Sequence, residues 1–396
     1  MRIMRWDALR LDPGLDPGLE SGLDHSLDRG SDHGPDQGNS AATGRCGQAQ
    51  ATAQASLFGR DAVARTFDTP GFRGMTFYEV HARSIINKVP DKSRMPFRAT
   101  INPYRGCGHA CVYCFARNTH SYLDLDTGLD FNSKIIVKVN AAELARKELA
   151  LPRWAGEHIA MGTNVDPYQR AEGRYRLMPG IIRALTAARN PFSILTKGTL
   201  VLRDLDLLDQ AAEVTTVGLN VSVGFIDAEL SASVEPGTPS PRRRLDTCAA
   251  ITKRGLRCGV LMGPVLPYLS DSPDQLERTV RQIAQAGAAS VTPIVLHLRP
   301  GAREWYLAWL ADNHRDLVGR YRQLYGSGAY APKHYQRQVS AAVSELARKY
   351  GVGRADPYGA RRIAHAGHQD GLSGNTSKPA QPARPTSAIG DQLTLL

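Results

Sequence analysis

Cys107, Cys111 and Cys114 are the densest concentration of chemistry in the chain. Three of its six cysteines fall within eight residues of the stretch Asn102-Pro103-Tyr104-Arg105-Gly106-Cys107-Gly108-His109-Ala110-Cys111-Val112-Tyr113-Cys114-Phe115, at C-x3-C-x2-C spacing. Thiolates this close can meet at one metal centre without closing a long loop, and thiolate is the ligand that iron–sulfur clusters select. A 4Fe-4S cluster ordinarily takes four cysteines. Three would leave one iron open to a substrate or cofactor. The competing reading is a zinc knuckle completed by His109, Cys248 or Cys258. Zinc sites more often draw on two separated ligand pairs, which speaks against it.

A second group of polar residues follows downstream. Gly162-Thr163-Asn164-Val165-Asp166-Pro167-Tyr168-Gln169-Arg170-Ala171-Glu172 combines hydrogen-bonding side chains with a glycine that would let a cofactor approach the backbone. Glycine and Asp-Pro also mark ordinary turns. Lys197, in Thr196-Lys197-Gly198, could meet a carboxylate or ribose, and Ser222 opens Ser222-Val223-Gly224. Glu235-Pro236-Gly237-Thr238-Pro239 precedes the basic run Arg242-Arg243-Arg244, a pattern that also suits a solvated helix start. His297, Arg299 and Glu304 could face a substrate, although His297 suits an internal structural role equally well.

These residues need a scaffold, and the pattern supplies one. Strands are expected at 97–101, 158–161, 192–196, 217–223, 257–262 and 291–298, with a further alternating strand at 134–139. Helices are expected at 141–149 (capped by Asn140), 177–188, 203–212, 241–254 (opening on Pro241) and 274–286, with more to about 350. Strands that alternate with helices pair in parallel through right-handed crossovers. The fold class is therefore α/β, a partial or complete TIM-like (β/α) barrel of about six units. Such barrels gather their active residues at the C-terminal ends of the strands. The cysteine loop, which follows the first strand, lies at that mouth.

The ends of the chain read differently. Residues 11–38 form seven tetrads beginning Leu11-Asp12-Pro13-Gly14, whose composition resists helix and strand. Their period of four is not the nine of calcium-binding β-rolls. The expected organisation is a low-complexity tail over 1–70, the barrel with its lead-in over 71–300, a helical extension over 301–351 and a second tail over 352–396. No run of 18 apolar residues argues for a membrane span, and no apolar segment follows Met1-Arg2-Ile3 to form a secretory signal. A cytoplasmic setting fits the clustered cysteines. Net charge is +11, which attracts nucleic acid when it is concentrated on one face. Tyr321, Tyr325, Tyr330 and Tyr335, interleaved with basic residues, could stack on bases or simply pack the helical region onto the barrel.

C-x3-C-x2-C with an aromatic residue before the third cysteine resembles the signature of the radical S-adenosylmethionine (SAM) superfamily. The resemblance implies a 4Fe-4S cluster on Cys107, Cys111 and Cys114, with SAM on the open iron and Tyr113 near its adenine. It also implies reductive cleavage of SAM to a 5′-deoxyadenosyl radical and a one-electron donor of flavodoxin or ferredoxin type. The run from Gly162 to Glu172 is similar to the second-strand motif of the spore-photoproduct-lyase-like branch. In the wider superfamily that strand end meets the methionine amino group. Cofactor contacts are thus expected at Tyr113, Gly162, Thr163, Asp166, Lys197 and Ser222, with Arg244 on the SAM carboxylate. The resemblance spans about residues 71–345. Spore photoproduct lyases carry a further hydrogen-donating cysteine between cluster loop and second strand, whereas this chain has no cysteine between Cys114 and Cys248. Finally, Gln54-Ala55-Ser56-Leu57-Phe58 and Gln392-Leu393-Thr394-Leu395-Leu396 resemble the peptides by which bacterial replication and repair proteins dock on the sliding clamp. DNA is therefore the favoured substrate class, ahead of a small molecule or protein, with a non-catalytic iron–sulfur or zinc module last.

Overall fold

The computed structural model describes residues 9–10, 62–90, 93 and 95–353. The tetrads and both clamp-like peptides lie outside the described residues. Two sheets carry the chain. The larger has seven strands: β4 (Ile86–Lys88), β5 (Ala99–Ile101), β8 (Ile159–Met161), β9 (Phe192–Thr196), β10 (Val217–Ser222), β11 (Cys258–Val265) and β12 (Ser290–Val295). Their spatial order is β4-β5-β8-β9-β10-β11-β12, parallel throughout except for the antiparallel edge strand β4. Among the described residues no ladder joins β4 to β12, so the expected six parallel strands are present there as an open sheet.

Ile159, Met161, Phe192, Ile194, Leu219, Val221 and Val260 are buried, as expected for a parallel sheet covered on its faces. The covering helices include α2 (Ala141–Leu149), α3 (Arg170–Tyr175), α4 (Leu177–Ala187), α5 (Leu205–Val214), α7 (Pro241–Lys253) and α8 (Pro273–Gln285). Between them, α6 (Ala228–Val234) is a short helix that precedes the Glu235–Pro239 segment. Ser240 and Ser272 cap α7 and α8, and proline opens each helix, where its missing N–H costs nothing. Asn140 does not cap α2. Its side chain instead forms a paired hydrogen bond with the backbone of Ala82, donating to the oxygen and accepting from the nitrogen, each at 2.9 Å.

That contact reaches the second, smaller sheet, in which β1 (Leu9–Arg10) and β2 (Val63–Thr66) pair with β3 (Thr76–Ala82). β3 runs parallel to β7 (Lys134–Lys138), which pairs on its other side with β6 (Tyr104–Arg105). The strand expected at 134–139 therefore belongs to this sheet, and β2 lies within the stretch expected as tail. A 3-10 helix (Phe115–Leu123) and α1 (Leu129–Ser133) follow the cysteine loop and lead into β7.

At the C-terminal side, α9 (Ala302–Asn313), α10 (Leu317–Tyr325) and α11 (Lys333–Lys349) complete the described chain, with α11 against α8 and β12. Tyr321 and Tyr325 are buried and donate to the carbonyl oxygens of Pro267 and Leu296, each at 2.7 Å, while Tyr335 donates to Asp271. Packing, not base stacking, occupies these three rings. Among the described residues no helix is long and apolar enough to cross a membrane.

Candidate cofactor site

The cysteine loop leaves β6 and is built by successive tight turns. Ala110 N donates to Cys107 O at 3.1 Å and Cys114 N to Cys111 O at 3.2 Å. Ala110 has φ +55°, the left-handed region that residues with a Cβ seldom enter. Tertiary contacts must therefore hold the turn. Cys107 N donates to Phe131 O and Val112 N to Val234 O, each at 2.9 Å. The Gln169 amide clasps the loop from β8's side, accepting from Gly108 N and donating to Gly106 O, each at 3.0 Å. Gly237 N donates to His109 O at 3.0 Å, and a Cβ on Gly237 would overlap the carbonyl oxygen of Gly108. Gln169 and Gly237 lie within stretches singled out in the sequence but had no role assigned there, because each acts on a loop more than 60 residues away.

The three sulfurs face one cavity at the C-terminal ends of the large sheet, with about 890 Å³ of empty space including its open mouth. Gly162, Thr163, Asp166, Lys197 and Ser222 line one half, at the ends of β8, β9 and β10, and Tyr113 lines it from the loop. The other half, at the ends of β11 and β12, is apolar through Leu261, Pro264, Ile294 and Leu296, with His297 its polar group. Phe115 completes the wall beside Cys114.

Several expected residues are placed differently from their assigned parts. Gly162 has φ +86°, and a Cβ there would overlap Leu195 O, so its glycine serves the approach of the neighbouring strand. The carboxylate of Asp166 accepts from Tyr168 N (2.9 Å), Thr196 Oγ1 (2.6 Å) and Lys197 N (2.7 Å), and pairs with His109 Nδ1 at 3.4 Å. Burial pushes its pKa up, but His109 and these donors outweigh burial and bring it down to about 2. Asp166 thus ties β8, β9 and the loop together as a fixed anion. Ser222 Oγ donates to Gly263 O at 3.0 Å.

Arg244 does not reach the cavity wall. It is buried, and its guanidinium is committed to Pro239 O (2.8 Å), Ser222 O (3.1 Å), Ser231 Oγ (3.1 Å), Thr238 Oγ1 (3.2 Å) and the Glu235 carboxylate. Tyr113 donates its hydroxyl to that same carboxylate. Arg244 thereby orients Tyr113 through Glu235, and its donors are spent on that chain. Lys197, half-buried, places Nζ 5.7 Å from the centre of the Tyr113 ring, leaving it the cation on the cavity wall.

All three thiols are free. Burial pushes Cys107 and Cys111 up, Cys111 to about 12, and raises Cys114 as well. They are neutral thiols until a metal displaces their protons. Among the described residues no three His, Cys, Asp or Glu side chains form a single-ion site. The zinc alternative is left with His109, whose Nδ1 pairs with Asp166, as its fourth ligand, because Cys248 and Cys258 are buried in the core. A four-iron cluster takes each thiolate on a different iron, so three separate thiols on one cavity wall fit it.

A family model described as the Radical SAM superfamily matches residues 101–283. An uncharacterized protein of Mycobacterium tuberculosis, Rv2578c, is 51% identical over 291 residues, covering 74% of this chain and 86% of that protein. An uncharacterized protein of Methanocaldococcus jannaschii, MJ0683, is 30% identical over 196 residues, covering 48% of this chain and 71% of that protein. Among solved structures, spore photoproduct lyase complexed with dinucleoside spore photoproduct has the same fold, with a TM-score of 0.55 at 15% identity, covering 71% of this chain and 82% of that one. The cysteine loop, the cavity at the strand ends and these relatives place the chain in the radical SAM superfamily of enzymes, which work with a 4Fe-4S cluster and SAM.

Proposed function

We propose that the chain holds its cluster on Cys107, Cys111 and Cys114, and that its radical chemistry is directed at DNA in the cytoplasm. When bound, the cluster supplies the single electron that splits SAM into methionine and a 5′-deoxyadenosyl radical able to take hydrogen from a substrate. The chain's own residues bind, orient and shield. Lys197 meets the carboxylate of the cofactor's methionine, the part first expected of Arg244. Thr163 after β8 and Ser222 at the end of β10 offer hydroxyl oxygens, that of Ser222 with its proton committed to Gly263 O, and Tyr113, held by Glu235, would flank the adenine. The apolar half keeps water from the reacting atoms. A flavodoxin- or ferredoxin-type donor delivers the electron, and Gln54–Phe58 or Gln392–Leu396 brings the enzyme to the sliding clamp.

The rim of the apolar half is the observation that carries the DNA reading. Arg299 lies over the Phe115 ring at 5.6 Å and donates to the Tyr330 hydroxyl at 3.0 Å. Tyr330 stands edge-on to His297 at 4.6 Å. Two stackable rings bridged by a cation suit a base and its phosphate. His297 Nδ1 is buried without a partner, and burial with the nearby Arg299 charge lowers the ring's pKa to about 4. At neutral pH it is an uncharged imidazole suited to a base edge. The net charge of +11 supports the same reading, as does the dinucleoside bound by the fold's neighbour.

The test is anaerobic. The protein is loaded with iron and sulfide, reduced, and assayed for 5′-deoxyadenosine with and without single-stranded and duplex DNA. DNA is expected to accelerate its formation. Steady cleavage indifferent to DNA would move the substrate to small molecules or proteins, while a fully loaded protein that forms no deoxyadenosine would sink the chemistry itself.

A further inference from the structure

Arg117 stands three residues beyond Cys114 and is completely buried. Its guanidinium wraps the back of the cluster loop. Nε and Nη2 donate to Cys111 O at 3.2 and 2.9 Å, and Nη2 also donates to Ala110 O at 3.3 Å and Asn132 Oδ1 at 2.9 Å. Nη1 donates to Gly128 O at 2.8 Å and Thr127 O at 3.2 Å. Its planar group is flanked by the rings of Phe131, at 5.2 Å, and Trp305, at 4.9 Å.

Every acceptor in that set is neutral. Among the described residues no carboxylate forms an ion pair with Arg117, and the carboxylate whose charge reaches it is that of Asp126. An arginine stays protonated in a protein, and a buried charge without a counter-charge is costly. Among the described residues the loop therefore contains a permanent cation with no ion-paired carboxylate. Loading the site changes this. Three thiolates outweigh the two positive charges of an oxidised 4Fe-4S core, and reduction adds a further negative charge.

We propose that Arg117 is the built-in counter-charge of the cluster: a positioning residue that fixes the left-handed turn at Ala110 from behind and makes the cluster easier to reduce. A cation near a redox centre favours the more negative state, so it raises the reduction potential. The inference does not depend on the substrate.

Two variants test it, Arg117→Gln and Arg117→Lys, each reconstituted with iron and sulfide and titrated against potential by electron paramagnetic resonance without SAM. Arg117→Gln is expected to hold about tenfold less reduced cluster at a given potential, a downward shift of about 59 mV for one electron. Arg117→Lys, which keeps the charge but not the fork, is expected to stay nearer wild type. A loop held only by hydrogen bonds would not separate the two. An unchanged potential in a fully loaded Arg117→Gln protein would overturn the proposal. If Arg117→Gln takes up no iron, Arg117→Lys decides: uptake with a near-native potential supports the counter-charge, and equal failure reduces Arg117 to a purely geometric staple. Iron content and the melting temperature of the metal-free variants provide readouts independent of activity.

Discussion

Cys248 and Cys258 lie against each other between α7 and β11, fully buried, while Cys107 and Cys111 are almost as hidden but face a cavity. Burial pushes the loop thiols' pKa values up, and the hydrogen bond to Cys248 together with burial does the same to Cys258. Burial alone therefore does not separate a ligand from a core thiol. The surroundings do. The core pair lies among apolar neighbours, with Cys258 Sγ donating to Gly259 O at 3.6 Å, whereas the loop trio is held open by hydrogen bonds from distant segments, with Arg117 behind it and Lys197 across from it.

Exchanging residues in each set tests that contrast. Cys111→Ala should abolish iron uptake and 5′-deoxyadenosine formation while leaving the metal-free melting temperature close to wild type. Retained iron–sulfur absorbance would show that the loop is not the ligand set. Cys248→Ala should do the reverse, leaving iron content unchanged and lowering stability by about 1–2 kcal/mol in a denaturant titration. Between these extremes lies Gly237→Ala. Its new Cβ would press on Gly108 O, so iron content should drop partially in a protein that still folds, and full loading would show that the loop can yield there. The last effect, read as a pH slope, concerns the large sheet. His158, at the start of β8, has a buried, unpartnered Nδ1 and a pKa lowered by burial to about 4. The unfolded chain takes up that proton first, near pH 6.5. Its contribution to stability is therefore complete above about pH 6.5 and is lost progressively towards pH 4. Unfolding of the metal-free protein should show this slope, and His158→Gln should reduce it, His120 and His297, whose pKa values burial also lowers to about 4, supplying the remainder. An identical slope in the variant would assign the acid sensitivity to other groups.

Much of this was legible along the chain. The strands at 159–161, 192–196 and 217–222 and the helices opening on Pro241 and near Asp274 follow from period, caps and proline, all of which act within a few residues. The cysteine loop was legible for the same reason: its three ligand candidates sit within one turn of chain. Arg244 was not. Its type and its place near a strand end suited a carboxylate ligand, but Glu235 and four further oxygens claim its donors. Asn140 likewise sits where a cap belongs and pairs instead with Ala82, 58 residues earlier. The tyrosines of the last helices read equally well as stacking or packing residues until their hydroxyls were seen to reach Pro267, Leu296 and Asp271.

The sequence by itself determined which atoms are available: three thiols at cluster spacing, a lysine, hydroxyls and an aspartate after predicted strands, and the alternation that brings strand ends together. Ligand type and local spacing are properties of neighbouring residues and need no fold to be read. Tertiary structure decided which of those atoms remain free to act. Hydrogen bonds and ion pairs between distant segments consumed Arg244 and Asp166, left Lys197 on the cavity wall, and buried Arg117 behind the loop with no ion-paired carboxylate among the described residues. Saturation of a donor depends on what the rest of the chain brings within 3 Å of it, and no local pattern records that.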